Sequence, residues 1–147
     1  MQIEFIMEIK FYNEIDDFKI KFVVIIAKHN GKFVLCKHKN RRTFEIPGGH
    51  RENYENVFDA AKRELFEETG ASLFEIRKIC PYSVDGNDGI ISTNEESFGM
   101  LYYAEIFEFN KISSEIEKIE FFEAFPNENL TYPIIHSILY KKYLENN

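Results

Sequence analysis

Residues 48–70 read GGHRENYENVFDAAKRELFEETG, and the rest of the chain is best understood outward from them. Gly48-Gly49, directly after Pro47, must break any strand that runs into them. Asn53 or Asn56 can cap a helix from about Val57 to Thr69, and Gly70 stops it. Six acids (Glu52, Glu55, Asp59, Glu64, Glu67, Glu68) face three bases (Arg51, Lys62, Arg63) in this stretch. On a helical wheel, Glu64, Glu67 and Glu68 fall within one arc of about 100°. Phe58, Ala61 and Leu65 take the neighbouring arc, so the three glutamates border the buried edge. Like charges that close repel unless something positive sits between them. An ordinary solvated face would pair Arg63 with Glu67 at i+4. The other partner is a hard divalent cation, and Mg²⁺ suits carboxylates joined by a substrate phosphate. Gly48 and Gly49 let the backbone approach such a ligand and offer it carbonyls.

Upstream, residues 18–28 (FKIKFVVIIAK) are β-branched and aromatic, and residues 32–38 (KFVLCKH) alternate. The turn at Asn30-Gly31 makes the two a hairpin. A short strand, Thr43 to Ile46, is expected to end at Pro47. Downstream, strands are expected over 72–82, 97–109 and 117–124, with a polar loop over 84–96 and a helix over 131–144 carrying Ile134, Ile135, Ile138 and Leu139 at helical spacing. One mixed sheet flanked by helices, an α/β (α+β) architecture in a single domain over 1–147, is the economical arrangement.

The whole-chain balance agrees. Eighteen Lys+Arg against 25 Asp+Glu give a net charge of −7, which repels nucleic-acid phosphates. Aromatic residues make up 16% of the chain, bulk enough for a core. The run from Phe22 to Ala27 is far short of the roughly 20 residues that span a bilayer. The early acids Glu4 and Glu8 do not fit a secretory signal. Cys36 and Cys80, far apart and without a CxxC partner, read as buried thiols of a reducing cytoplasm. The histidines at 29, 38, 50 and 136 show no ligand spacing and read as surface or structural. Met7 is an alternative start to Met1.

Gly49, five residues, Glu55, seven residues and then Arg63-Glu64-Leu65-Phe66-Glu67-Glu68-Thr69-Gly70-Ala71 resembles the Nudix box, G-x5-E-x7-R-E-U-x-E-E-x-G-U. All of its fixed positions (Gly49, Glu55, Arg63, Glu64, Glu67, Glu68, Gly70) match, a coincidence of order 10⁻⁹ per window at average residue usage. Ala71 is smaller than the usual aliphatic residue, and Tyr54 stands where glycine is frequent. The resemblance implies an α/β/α sandwich with a loop–helix catalytic motif. It also implies hydrolysis of a nucleoside diphosphate linked to a group X, most simply a nucleoside triphosphate, normal or oxidised, cleaved to monophosphate and pyrophosphate.

By the same resemblance, the Gly48 carbonyl with Glu64, Glu67 and Glu68 would hold Mg²⁺ or Mn²⁺. Glu67, Glu68 or a more distant glutamate would deprotonate the attacking water. Arg63 would orient its neighbours through Glu67 or Glu55, and Glu52 and Glu55 would shape the loop. Glu115, ahead of the aromatic strand, is the candidate general base or extra ligand, with Glu117 next and Glu95 and Glu96 behind. Arg42-Thr43-Phe44-Glu45-Ile46-Pro47-Gly48-Gly49 is similar to the R-x-x-E-x-P-G-G approach of bacterial 8-oxo-dGTP diphosphatases. Arg42 and Glu45 are therefore substrate-binding candidates, joined by Thr131 before the last helix. Tyr82, Phe98 and Tyr132 are candidates to stack on a base. A small nucleotide partner is expected, without stable nucleic acid or membrane, in a cytoplasmic monomer or homodimer. ADP-ribose, dinucleoside polyphosphates or a silent nucleotide-sensing domain stay open as alternatives, as does a structural interaction domain whose acids are only a solvated face.

Overall fold

Residues 20–29 carry apolar side chains on both faces, so they belong where both faces are covered. The structure, a computed structural model that describes residues 6–113 and 115–146, places them at the centre of a seven-stranded mixed sheet. The strands are β1 (Met7–Phe11), β2 (Ile20–His29), β3 (Lys32–His38), β4 (Gly48–His50), β5 (Ala71–Gly86), β6 (Ser97–Phe109) and β7 (Ile116–Phe122). The helices are α1 (Val57–Thr69) and α2 (Pro133–Glu145). The sheet order is β1-β5-β6-β2-β3-β7, with β4 also on β2. Among the described strand pairs, only β2–β6 is parallel.

Alternation along the central strands sorts the core into two layers. Val23, Ile25 and Ala27 of β2, with Met100, Tyr102, Ala104 and Ile106 of β6, pack under Ala60, Ala61 and Leu65 of α1. Ile26 and Leu101 point the other way, onto Ile135, Leu139 and Tyr143 of α2. The result is the expected α/β/α sandwich. No helix among the described residues is long and apolar enough to cross a membrane.

The hairpin through Asn30-Gly31, the bounds of β3 and β6 and those of α1 agree with the sequence reading. Other expectations need correction. Thr43–Ile46 is not a strand: Phe44 and Glu45 make isolated bridges to Leu130 and Cys36. Gly48–His50, expected to break the ladder, is the strand instead, because Pro47, which has no N–H to offer, still gives its carbonyl to Ile25 N–H (2.9 Å) and the glycines lie flat on β2. A Cβ at Gly48 would sit 2.4 Å from the Val23 carbonyl. β5 runs on through Gly86 into the stretch read as loop, because β1 pairs with its last residues. That first strand was not expected, although Met7, Ile9 and Phe11 alternate with Glu8 and Lys10 and turn toward the core. Phe58 and Ile134, placed on buried arcs, are exposed, at 43% and 44%. Cys36 is buried, but Cys80 is only half-buried; both are free. Met7 opens β1, whereas Met1 lies outside the described residues.

Candidate functional site

Asn56, not Asn53, caps α1: its side-chain oxygen accepts from the Asp59 N–H at 2.7 Å. Gly70 ends the helix at φ 78°, a left-handed conformation that costs a glycine little. Between these stops, α1 lies across β2 and β4, which fixes where its carboxylates point. β3 pairs with Ala27–His29 and β4 with Phe22–Val24, both on the edge of β2 opposite β6. Glu68 reaches this fork, where its Oε1 accepts the Gly48 N–H at 2.9 Å.

Arg63 organises the acids. Its Nε and Nη2 bind the two oxygens of Glu55 at 2.7 and 2.9 Å, a bidentate pair. Its Nη1 donates to Glu64 at 2.8 Å and to Glu67 at 3.2 Å, and Nη2 also donates to the His50 carbonyl at 3.0 Å. Arg63 therefore serves both Glu67 and Glu55, the two partners its position suggested. The Arg63 hydrogen bonds hold the Glu55 carboxyl below the usual range. Burial instead pushes Glu64 up, against the pull of Arg63. Glu68 is pushed up to about 8 by burial, with Glu64, Glu45 and Glu67 adding to the rise and the Gly48 N–H opposing it. Buried acids of this kind, crowded in a cleft, mark a candidate site.

The acids line a cleft of about 470 Å³ with His38, Gly48, Ser113 and Glu115. Glu115 thus joins Glu64, Glu67 and Glu68. Glu117 is drawn away to Lys37, 2.6 Å distant. Glu96 is held by Tyr12 and Ser83. Glu52 stands on the rim, 3.8 Å from Arg63. Tyr54, in the place where glycine is frequent, takes φ 66° and is fully exposed.

Gly49 packs against this cluster so closely that an added Cβ would lie 2.4 Å from the Glu64 carboxyl carbon. Gly49→Ala is expected to push the Glu64 carboxylate off its Arg63 contact and weaken divalent-cation binding at least tenfold, read by calorimetry. Its Tm should stay near that of the parent, because a side-chain end can move. Gly48→Ala meets backbone instead and should lower Tm by several degrees.

A second cleft, of about 520 Å³, opens on the other side of Gly48. Its walls are largely apolar: Phe22, Val24, Ile46, Tyr82, Val84 and Ile91, closed by Tyr132 and His136 from α2 and the turn before it. Glu45 lines it, with Arg41 at 2.7 Å from one oxygen and His38 at 3.1 Å from the other. Arg42 lines neither cleft, and Thr131 hydrogen-bonds Thr43 at 2.6 Å instead. Of the aromatic candidates, Tyr82 and Tyr132 line this cleft, while Phe98 packs on Tyr12.

Of the histidines, His38 was undervalued by sequence spacing, whereas His136 is structural, one of the two roles expected of it. His38 Nε2 lies 2.6 Å from Glu68 Oε2, in contact with the acidic cluster rather than merely on the surface. His136 is buried in the second cleft, where Nδ1 accepts the Ile46 N–H at 3.3 Å and the ring must stay neutral. Burial lowers its pKa to about 3 from the ordinary 6.5. The folded state thus resists a proton that the unfolded chain accepts. Stability from this group is present above pH 6.5 and lost as the pH falls toward 3, at about 1.4 kcal/mol per pH unit. Urea midpoints between pH 7 and 5 should show this slope, and His136→Gln should flatten it.

Known proteins share this fold. The NUDIX domain family matches residues 17–141. YtkD of Bacillus subtilis (strain 168), provisionally named an 8-oxo-dGTP diphosphatase, is 34% identical over 97 residues, covering 66% of this chain and 57% of that protein. An RNA pyrophosphohydrolase of Bartonella henselae is 31% identical over 68 residues, covering 40% and 39%. The chain thus spans about half the length of the curated relatives it matches. Among solved structures, the Bacillus subtilis pyrophosphohydrolase BsRppH superposes with a TM-score of 0.75 at 24% identity, over 95% of this chain and 91% of that one. Since the family match runs from the 3₁₀ turn before β2 into α2 and takes in the whole glycine–carboxylate motif, the chain belongs to the Nudix family.

Proposed function

We propose that the protein hydrolyses a nucleoside diphosphate linked to a further group, most simply a nucleoside triphosphate to monophosphate and pyrophosphate, in the cytoplasm. One observation carries the reading: an acidic cleft and an apolar, aromatic-lined cleft meet at Gly48. A phosphate chain and a base make the same juxtaposition of charge and flat apolar surface. The names of the relatives, a provisionally named 8-oxo-dGTP diphosphatase, an RNA pyrophosphohydrolase and the pyrophosphohydrolase BsRppH, support a phosphoanhydride substrate. The net charge of −7 favours a small nucleotide over a long RNA.

The acidic cleft suits a divalent cation on its donor set alone. Glu64, Glu67 and Glu68 hold more negative charge than the one guanidinium beside them neutralises, and all their donors are hard oxygens. These three with the Gly48 carbonyl would hold Mg²⁺ or Mn²⁺. When bound, the cation neutralises phosphate oxygens and lowers the pKa of an attacking water. The chain's own residues do the positioning. Arg63 fixes Glu55, Glu64 and Glu67 in register, and the Gly48 N–H fixes one oxygen of Glu68. Water attacks phosphorus as the anhydride P–O bond breaks, and Glu115, on the rim of the same cleft, takes the water's proton.

Glu115→Gln should therefore lower kcat by about 10²-fold or more while leaving KM within a few-fold. Parent-like turnover would remove Glu115 from the mechanism. The broader test is phosphate and pyrophosphate release with Mg²⁺ across 8-oxo-dGTP, normal dNTPs, ADP-ribose, diadenosine polyphosphates and 5′-triphosphorylated RNA. A preferred substrate silenced by Glu68→Gln would establish the activity. No turnover on any of them, with the cation still bound, would overturn it in favour of a nucleotide sensor.

A further inference from the structure

Cys36 and His38 stand two positions apart on β3, so both side chains leave the same face of the strand, the one that carries Val34 under α1. There they meet Glu68: one ligand atom from each of the three lies within 4.8 Å of the other two. Nε2 of His38 is buried between Glu68 Oε2 at 2.6 Å and Glu45 Oε1 at 3.1 Å, yet it makes no aligned hydrogen bond among the described residues. A ring nitrogen wedged against two carboxylates without a bond to either is an unmet demand, since buried polar atoms are nearly always satisfied. Cys36 is held in place from behind. Its N–H and C=O pair with Glu45 at 3.0 and 2.9 Å, which pins the backbone that presents the thiol.

We propose that Cys36, His38 and Glu68 form a site for a borderline-soft divalent cation such as Zn²⁺, and that it competes with the hard-cation cleft for Glu68. Sulfur and imidazole donors select such ions, whereas the all-oxygen set of Glu64, Glu67 and Gly48 does not. Three protein donors and one open position match a tetrahedral zinc centre, and Glu45 Oε1 stands 3.1 Å from His38 Nε2. Zinc-bound donors stand about 3.3–3.8 Å apart, so the His38–Glu68 contact opens and the other spacings close by roughly 1 Å or less. The thiol proton leaves to solvent as the metal–sulfur bond forms. Glu68 is the hinge between the two sites. One of its oxygens accepts the Gly48 N–H and the other lies against His38 Nε2, and a cation gripping the His38 side withdraws it from the phosphate cleft. Binding stands on this geometry alone; the effect on turnover rests on the hydrolase reading.

Cobalt(II) is the probe, added to the metal-free full chain. Tetrahedral d–d bands and a near-UV thiolate-to-cobalt band should rise together to one equivalent and disappear on adding Zn²⁺. Cys80→Ser should leave both bands intact, Cys36→Ser should abolish the near-UV band, and His38→Ala should weaken binding at least tenfold. Excess Mg²⁺ should shift the cobalt titration to higher concentration. An octahedral spectrum without a sulfur band in the parent protein would overturn the site, as would a sulfur band lost in Cys80→Ser. These outcomes hold even if Cys36→Ser fails to fold. In turnover assays, Zn²⁺ should inhibit in competition with Mg²⁺, and Cys36→Ser should escape inhibition at an unchanged Mg²⁺-supported rate. An intact cobalt spectrum without turnover on any nucleotide would discount the hydrolase reading and leave the site standing.

Discussion

Glu68→Gln is expected to cut nucleotide turnover by about 10³-fold and, in the same protein, to raise its stability at alkaline pH when no divalent cation is present. On the proposed mechanism, the loss follows from removing one charged donor from a cation that contributes several kcal/mol to the transition state. The gain follows from burial. Glu68 is 7% exposed, and its carboxyl sits at about 8 in the folded protein against an ordinary 4.5. Its contribution to stability is therefore full below pH 4.5 and lost as the pH rises through about 8. Over that window the parent should lose about 1.4 kcal/mol per pH unit from this group. Glutamine carries no such charge and removes the slope. Urea midpoints from pH 5 to 9 in chelator would show the two curves diverging upward in pH. Adding Mg²⁺ should flatten the parent curve, because the cation takes over the charge. A variant that lost turnover without any change in pH slope would place Glu68 in the chemistry but not among the strained buried charges.

Arg63→Ala should have the larger effect on the fold. One guanidinium, 22% exposed, satisfies Glu55 on both oxygens and touches Glu64, Glu67 and the His50 carbonyl. Removing it takes the cation from Glu64 and Glu67 and leaves Glu55 the Glu52 N–H at 3.1 Å, a loss that typically costs about 3 kcal/mol or more, or roughly 10 °C in Tm for a domain of this size. Arg63→Lys should recover only part of this, since an ammonium cannot grip both Glu55 oxygens while reaching Glu64. Turnover should fall at least 10²-fold in both variants, because displaced carboxylates no longer share one geometry. Calorimetric melting and a rate assay on the same samples separate the two losses.

These expectations show what could be seen before the fold was known. α1 was legible because local chemistry sets its ends, with two asparagines to choose between as its cap: Asn56 supplies it and Gly70 gives a left-handed stop. The convergence of Glu64, Glu67 and Glu68 was legible for the same reason, as helical spacing is a local property. β4 was not, since Gly48–His50 has no strand propensity and pairs only because β2 lies beneath it. The apolar cleft was hidden more deeply. Its walls come from β2, residues 45–50, β5, the loop before β6 and α2, which only the sheet order brings together. Thr131 and Arg42 stand at the expected positions in the chain but line neither cleft, whereas Tyr132 and His136 line the apolar one and Arg41 pairs with Glu45 on its wall. His38 had a usable signal. Cys36 and His38 share a strand face, but the partner that gives the pair meaning lies on α1.

The single parallel pair in the sheet also dictates when this molecule can come into being. Ile20 on β2 is joined to Phe98 on β6, roughly eighty residues later, and long-range pairing of this kind is slow to form. While the chain is being synthesised, β2, its hairpin and α1 emerge first, but the layer that covers β2 on its far edge does not yet exist. Until the ribosome has released the stretch through Phe109, the acids of α1 stand on an unfinished sheet and the apolar strands beside them lie open to other chains. The interval between making the carboxylate helix and completing β6 is thus the period in which the nascent chain exposes most of its aggregation-prone surface.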